Sequence, residues 1–203
     1  SKETAHQLGT PISSLMAWVE VLRENHPEDD LIPELEQDVK RLQRIAERFS
    51  KIGSTPELKE TDLREVVRNV VQYIERRTSH HVNITTAIPE GRLMAEVNAP
   101  LFEWVVENLC KNAVDAMQGH GSLKIEAFAE RETVVVEVTD TGCGIPPNRF
   151  ESVFNPGYTT KQRGWGLGLS LARRIIQEYH RGRIFVKSSH IGVGTTFRVE
   201  VKV

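Results

Sequence analysis

One stretch, residues 138–168, constrains the fold more than any other part of the sequence. The apolar run VVVEVTD ends in Asp140 and is followed at once by Thr141-Gly142-Cys143-Gly144. A strand that ends in an acid and breaks into two glycines places a carboxylate at the mouth of a buried sheet, beside backbone with no side chains in the way. The stretch therefore predicts an acidic side chain next to accessible backbone at a sheet edge.

A second glycine set, Gly164, Gly166 and Gly168, leads into an apolar-periodic run that predicts a helix. Glycines that open a helix form an anion site, because free N–H groups and the positive end of the helix dipole face a phosphate. An acid at one end and a phosphate cradle at the other suggest a nucleotide between them. Asp-Thr-Gly is also the active-site triplet of aspartic proteases, in which two such acids share a proton.

Composition narrows the classes of protein. The 203 residues suffice for one large or two small domains, and 39% apolar with 27% charged residues is typical of a soluble globular protein. A net charge of −2 gives no reason to expect nucleic acid or an anionic membrane as a partner. No apolar run approaches the ~20 residues that span a bilayer. Cys110 and Cys143 lack metal-like spacing and predict free thiols in a reducing compartment.

The first 55 residues predict a helical hairpin. One helix face is predicted by apolar residues spaced at three and four, namely Leu8, Ile12, Leu15, Val19 and Leu22. After a break at 26–30, a heptad-like run follows with Leu31, Leu35, Asp38, Leu42, Ile45, Phe49 and Ile52. Two helices alone bury too little surface, so we expect dimerisation into a four-helix bundle. The sequence begins inside the first helix, so we expect it to be part of a longer protein.

His6 lies one turn before Pro11 on the first predicted helix. The proline ring removes an N–H and pushes on the carbonyl of Gln7, which predicts a local bend. A neutral imidazole on an exposed, bent helix face is available as a nucleophile at pH 7. The alternative is a solvated surface histidine, since the chain has seven histidines.

The remaining residues predict an α+β sandwich with helices on one face. Residues 54–61 read as a linker, and Asp62 with Glu65 forms a capping box that opens a helix over 62–77. Strands are predicted at 81–88 and 92–97, and Asn98 with Pro100 starts a helix that closes near Gly119. Two hairpins, SLKIEAFAE with TVVVEVTD and GRIFVKSS with TTFRVEVKV, flank the helix LGLSLARRIIQEYH.

The helix after Asn98 carries a polar group of its own. Asn108 and Asn112 are four residues apart and share one helix face, with Lys111 and Asp115 beside them. Amide oxygens are suitable ligands for Mg²⁺, which also takes substrate phosphates. The alternative is a pair of solvated polar residues.

In combination, these motifs resemble a sensor histidine kinase of two-component systems. The resemblance covers nearly the whole chain: AHQLGTPISSL is similar to the phosphoacceptor box, ENLCKNAVDAM to the asparagine box, DTGCGI and GWGLGLSLA to the two glycine boxes, FNPGYTTK to the phenylalanine region, with a final GVGTTF. Nothing in the aspartic-protease interpretation accounts for the other motifs. The resemblance implies a dimerisation and phosphotransfer hairpin at 1–55 and a catalytic ATP-binding domain at 56–203, of the Bergerat type.

The resemblance also implies residue roles. Asp140 accepts a hydrogen bond from the adenine amine, Gly142 and Gly144 let the backbone approach the base, and Asn112 with Asn108 holds Mg²⁺ near Lys111. Residues 147–166 form a mobile lid anchored by Phe154, with the second glycine set as hinge and phosphate cradle. The other implied nucleotide-binding residues are Asp115, Thr159, Thr160, Lys161, Leu167 and Thr195.

His6 is implied to attack the γ-phosphorus of ATP in line, and the phosphate then passes to an aspartate on a response-regulator receiver domain. The family usually has an acid directly after the phosphoacceptor histidine, whereas this chain has Gln7. Its amide can fix the ring tautomer but cannot take the proton, so we expect slower autophosphorylation. Thr10 matches the position implicated in dephosphorylating the regulator. We expect a homodimeric, cytoplasmic core within a protein that can be membrane-anchored elsewhere.

Two other functions compete. The wider superfamily of gyrase, MutL and Hsp90 hydrolyses ATP with a glutamate four residues before the metal asparagine, but that position is Asn108 here. Glu107 lies one residue off, rotated about 100° around the helix. The second alternative is a scaffold that binds ATP or passes phosphate along without autophosphorylating, an interpretation to which Gln7 gives some weight.

Overall fold

The computed structural model describes residues 2–29, 31–33, 35–36, 39–40, 56–158 and 168–203, with residues 2–13 as backbone only. The chain divides into two compact units, Ser1–Pro56 and Glu57–Val203. Within the described residues, none of the helices combines the length and apolar character that crossing a bilayer would require.

The first unit contains helix α1 (Lys2–Asn25) and further helical residues at 31–33, 35–36 and 39–40. The chain turns after α1, where the side chain of Asp29 accepts a hydrogen bond from the N–H of Leu31 at 2.9 Å. Val19, Ile32 and Val39 form a small core with Met16 packed against it. The predicted hairpin is therefore seen in the part of the unit that the structure describes.

The helices of this unit carry a second apolar set outside that core. The predicted heptad residues Leu31 and Leu35 are 74% and 42% exposed, whereas Ile32 and Val39 are buried. On α1, Leu15 and Trp18 are 44% and 66% exposed. Ile32 and Val39, next to the heptad positions, therefore pack against α1, and the described heptad leucines lie outside that core. Leu42, Ile45, Phe49 and Ile52 lie outside the described residues.

The second unit opens with a strand where a linker was predicted. β1 (Lys59–Asp62) pairs antiparallel with β3 (Met94–Val97), with Asp62 opposite Met94. The side chains of Lys59 and Glu60 are exposed, so their polar character concealed a strand that is held by backbone pairing. The predicted linker over 54–61 was wrong for residues 59–61.

Helix α2 (Leu63–Arg77) begins at the predicted cap. Asp62 Oδ1 accepts from the N–H of Arg64 at 3.1 Å and from the N–H of Leu93 at 3.3 Å. Hydrogen bonds from the Arg64 guanidinium lower the pKa of Asp62 to about 2 despite partial burial. The predicted reciprocal partner, Glu65, pairs with Arg68 at 2.8 Å instead.

The main sheet has five strands in the order β2-β4-β5-β7-β6. They are β2 (Val82–Ala87), β4 (Gly121–Glu130), β5 (Thr133–Asp140), β6 (Arg183–His190) and β7 (Gly194–Lys202). Both predicted hairpins are confirmed, since β4 pairs antiparallel with β5 and β6 with β7. The parallel pairing of β2 with β4 was not predicted, because it joins segments that are distant in sequence.

Two helices position the site on this sheet. α3 (Ala99–Ala116) packs on β5 and on α4 (Gly168–Arg174), and α4 continues as a π-helical turn over Ile175–Tyr179. The core between helices and sheet is apolar and includes Phe102, Leu109, Ile125, Val136, Ile176 and Val199. The prediction of an α+β domain is confirmed.

Candidate functional site

Asp140 is the last residue of β5 and is only 4% exposed. Its Oδ1 accepts a hydrogen bond from the N–H of Gly142 at 2.8 Å, and the backbone N–H of Thr195 is a second donor to the carboxylate. Burial raises the pKa of Asp140, and the two backbone donors partly offset this rise. The sequence prediction of an acid at a buried strand end is therefore confirmed.

The glycines after Asp140 allow two close approaches of the backbone. A Cβ on Gly142 would lie 2.7 Å from the carbonyl carbon of Ala116, at the end of α3. Gly144 has a φ of +77°, and a Cβ there would lie 2.2 Å from the carbonyl oxygen of His190. The glycine loop is thus held between the end of α3 and the β6–β7 turn, which sequence spacing alone did not reveal.

Gly168, the last residue of the second glycine set, lies directly against Asn108. A Cβ on Gly168 would be 2.5 Å from Asn108 Oδ1. The Asn108 Nδ2 atom is buried and has no hydrogen-bond partner among the described residues. Asn112 follows one turn later on α3 and is half-buried, while Lys111 and Asp115 are exposed. The structure thus brings Gly168, the last glycine of the second set, against Asn108, the first asparagine of the pair.

Phe154 is buried at the end of the short 3₁₀ turn Ser152–Phe154. Its ring meets Phe197 of β7 edge-on at 6.1 Å between centroids, and the Arg173 guanidinium of α4 lies 5.3 Å from the ring centroid. The residue predicted to anchor the lid is therefore packed against both the sheet and α4.

Several predicted site residues cannot be placed. Thr159, Thr160, Lys161, Gly164, Gly166 and Leu167 lie outside the described residues. For His6, Gln7 and Thr10 the structure gives the backbone of α1 only. Their roles stay predictions.

Ser189, near the end of β6, is a site residue that sequence reasoning missed. It is 7% exposed, and its hydroxyl contacts the N–H of Ile145 at 2.7 Å, the carbonyl of Gly194 at 3.0 Å and the Thr195 hydroxyl at 2.8 Å. It therefore links the glycine loop to the strand that carries Thr195. A single serine in a strand gives no periodic signal, so nothing in the pattern pointed to it.

His180, which follows the π-helical turn, is a buried side chain at the start of α3 that sequence reasoning did not single out. It is 3% exposed, and its Nδ1 lies 2.9 Å from the carbonyl oxygen of Ile175. Because a carbonyl can only accept, Nδ1 carries the proton and Nε2 accepts from the N–H of Asn98 at 3.0 Å. Burial lowers the pKa of His180, which favours this neutral form. Asn98 in turn donates through Nδ2 to the carbonyl of Glu57 at 3.1 Å.

The side chains present fit a nucleotide with Mg²⁺. Asn108 and Asn112 offer amide oxygens, and the buried amide nitrogen of Asn108 is still without a partner in the described structure. The described residues include no cluster of three or more His, Cys, Asp or Glu side chains that could hold a metal alone. Mg²⁺ commonly binds through few protein ligands together with substrate phosphates and waters, which is the kind of site that two asparagines can complete.

Comparison with known proteins identifies the class. Residues 97–203 match the family of Histidine kinase-, DNA gyrase B-, and HSP90-like ATPases, which is more than half of the chain. The chain therefore belongs to this family. The solved catalytic domain of the histidine kinase ThkA, in a nucleotide-free form, is 31% identical with a TM-score of 0.66. That match covers 72% of this chain and 95% of that chain.

Within the family, several relatives are sensor histidine kinases, and the resemblance to that group is confirmed. Sensor histidine kinase ZraS of Salmonella typhimurium is 28% identical over 203 residues, covering 96% of this chain and 43% of ZraS. The chain spans less than half the length of the curated relatives it matches. ThkA in complex with the response regulator protein TrrA shares the fold, at 24% identity and a TM-score of 0.63. That match covers 98% of this chain and 61% of that one.

Proposed function

We propose that this chain is the kinase core of a sensor histidine kinase, which transfers the γ-phosphate of ATP to His6 and then to a response regulator. The observation that carries the proposal is the juxtaposition around α3. One end of α3 meets the glycine loop after Asp140, at Ala116, and its middle meets Gly168 through Asn108. The acid proposed to bind adenine and the helix start proposed to bind phosphate therefore flank the same helix.

In this proposal the Asp140 carboxylate accepts a hydrogen bond from the exocyclic amine of adenine, and Gly142 with Gly144 lets the backbone lie close to the base. Asn112 and Asn108 hold Mg²⁺, which neutralises charge on the phosphates when bound. The other proposed members of the nucleotide site are Lys111, Asp115, Thr195 and the lid residues Phe154, Thr159, Thr160, Lys161, Gly164, Gly166 and Leu167.

His6 Nε2 is the proposed nucleophile. Its lone pair forms a bond to the γ-phosphorus while the bond from that phosphorus to its bridging oxygen breaks, and ADP leaves with the electron pair. The Nδ1 proton passes to water as the ring is phosphorylated, because the Gln7 amide cannot take it. The phosphate then passes to an aspartate of a receiver domain, a partner class supported by the solved ThkA complex with a response regulator. We further propose that Thr10 assists dephosphorylation of that regulator.

We also propose that the first unit forms a homodimeric four-helix bundle. Each helical stretch already uses one apolar set inside the chain, through Val19 and Ile32. A second set remains exposed on both, including Leu15 and Leu31. A second copy of the chain would cover these side chains, as packing in a bundle requires.

The ATPase alternative gains no support from the site. Glu107 is 8% exposed and belongs to the buried face of α3, whereas Asn108 occupies the position that the glutamate of the hydrolases would need. The scaffold alternative differs from the kinase only in whether the phosphate reaches His6.

One experiment separates the three functions. The purified chain is incubated with Mg²⁺ and γ-labelled ATP, and acid-labile, alkali-stable label on the protein is measured. We expect label in the unsubstituted chain and in His26→Ala, which removes an exposed histidine at the turn after α1, but none in His6→Ala. Phosphate release without protein label would favour the ATPase, and nucleotide binding with neither product would favour the scaffold. Thr10→Ala should retain labelling and lose dephosphorylation of the regulator.

A further inference from the structure

The hydroxyl of Ser189 has three neighbours and only one hydrogen. The N–H of Ile145, at 2.7 Å, can only donate to it. The carbonyl oxygen of Gly194, at 3.0 Å, can only accept from it. The third neighbour, the hydroxyl of Thr195 at 2.8 Å, can do either. The first two contacts therefore decide the direction of the third.

Because the Ser189 hydrogen points to Gly194, the Thr195 hydroxyl must donate to Ser189. Ser189 then donates one hydrogen bond and accepts two, which satisfies it fully inside the protein, where an unpaired hydroxyl is costly. The hydroxyl hydrogen of Thr195 is therefore taken up by Ser189. In any further hydrogen bond the Thr195 hydroxyl oxygen can only accept.

Thr195 lies directly opposite Asp140 in the antiparallel pairing of β5 with β7. Side chains at paired positions lie on the same face of a sheet and are close neighbours. The carboxylate of Asp140 also offers acceptors only. The two side chains therefore form a wall that accepts hydrogen bonds and donates none.

We propose that Ser189 is a positioning residue that sets base specificity, by holding the Thr195 hydroxyl so that it presents an acceptor beside Asp140. Such a wall favours a base with an amine at position 6, as in adenine, over one with a carbonyl there, as in hypoxanthine. The inference rests on the proposed nucleotide site. Removing the Ser189 hydroxyl frees the Thr195 hydrogen, which can then turn and donate to a carbonyl.

The test compares ADP with IDP, which carry an amine and a carbonyl, respectively, at position 6 of the purine base. Neither diphosphate has a γ-phosphate that could phosphorylate the protein. Dissociation constants in the presence of Mg²⁺ are measured by calorimetry for the full chain. We expect Ser189→Ala to reduce the preference for ADP over IDP about tenfold, the worth of one hydrogen bond. Ser188→Ala, the matched control, removes an exposed hydroxyl at the neighbouring residue of β6 and should keep the preference.

A second variant tests the same inference if Ser189→Ala does not fold. Thr195→Val removes the hydroxyl while retaining the shape of the side chain, so ADP binding should weaken several-fold and IDP binding should stay unchanged. An unchanged ADP:IDP ratio in Ser189→Ala, or unchanged ADP binding in Thr195→Val, would overturn the inference. Failure of the unsubstituted chain to bind ADP would instead overturn the proposed nucleotide site itself.

Discussion

The side-chain amide of Asn108 fills the space that a Cβ on Gly168 would occupy. The built Cβ would lie 2.5 Å from Oδ1 and 3.1 Å from Nδ2 of that asparagine. Both distances are shorter than van der Waals contact, so only glycine fits at residue 168 while Asn108 keeps its position. The glycine therefore fixes the place of a proposed metal ligand as well as the start of α4.

Gly168→Ala should weaken Mg²⁺-dependent ADP binding by about tenfold or more while leaving the chain folded. The added methyl group meets the end of a side chain rather than backbone, so Asn108 moves and the fold adjusts. Calorimetric titration with ADP in the presence and absence of Mg²⁺ checks this. Gly91→Ala is the control, since a Cβ there meets nothing within 4 Å. Equal loss of binding with and without Mg²⁺ would contradict a metal role for Asn108.

Asp140→Asn should bind ADP more weakly and yet be more stable at pH 7. Burial raises the pKa of Asp140, so its folded pKa lies above the unfolded value of about 3.9. The folded chain binds more protons between these pKa values, and the stability contributed by this group rises as the pH falls through that window.

The amide carries no charge, so the free energy of unfolding at pH 7 should rise by on the order of 1 kcal/mol. Urea unfolding at several pH values measures this gain, which should shrink as the pH is lowered toward 4. Glu132→Gln, at the exposed β4–β5 turn, should change neither quantity. Lower stability of Asp140→Asn at pH 7 would show that the backbone donors outweigh the burial of charge.

His180→Gln should reduce the dependence of stability on pH below about 6.5. Burial lowers the pKa of His180, so the unfolded chain binds more protons between the lowered pKa and 6.5. Its contribution to stability is fully present above 6.5 and is lost as the pH falls through the folded pKa. Protonation of Nε2 also removes the acceptor for the N–H of Asn98.

At pH 8 the same variant should lose about 1–3 kcal/mol of unfolding free energy, because a buried donor loses a well-placed acceptor. Chemical unfolding monitored by circular dichroism at pH 8, 6.5 and 5.5 gives both quantities. His26→Gln serves as the exposed control. Parallel pH profiles for His180→Gln and the unsubstituted chain would refute the assignment.

Gln7→Glu should speed autophosphorylation of His6 by about tenfold or more, since a carboxylate can receive the Nδ1 proton that an amide cannot. The initial rate of label incorporation from γ-labelled ATP measures the effect. Gln7→Ala should be slower than the unsubstituted chain, because the ring then loses its orienting acceptor. An unchanged rate of label incorporation in Gln7→Glu would refute the proposed reason for slow autophosphorylation.

Local patterns predicted the elements whose signals lie within one segment. α3 followed from its capping asparagine and apolar spacing, and β5 from an apolar run that ends at Asp140. The prediction failed for β1, because its partner strand begins more than 30 residues later and its own side chains are polar. Strand pairing between distant segments depends on the whole fold, which one polar segment does not encode.

The same distinction between local and distant signals holds for the polar residues. Asp140, its glycines and the asparagine pair were predicted from residue types at short spacing. Ser189 and His180 were not, because their roles depend on hydrogen bonds across 44 and 82 residues of sequence. A buried polar residue acquires its function from the partner that folding brings to it.

The π-helical turn after α4 lies between two contacts that α4 and its π turn make with α3. Gly168 meets Asn108, and His180 meets Asn98, so a segment of twelve residues is set against one of ten. Regular α-helices would rise about 18 Å and 15 Å over those lengths. A π turn holds more residues in each turn than an α-helix does, so it shortens the longer segment. The number of residues between the second glycine set and His180 is therefore fixed by these two contacts. An insertion or deletion between them would break one of the two.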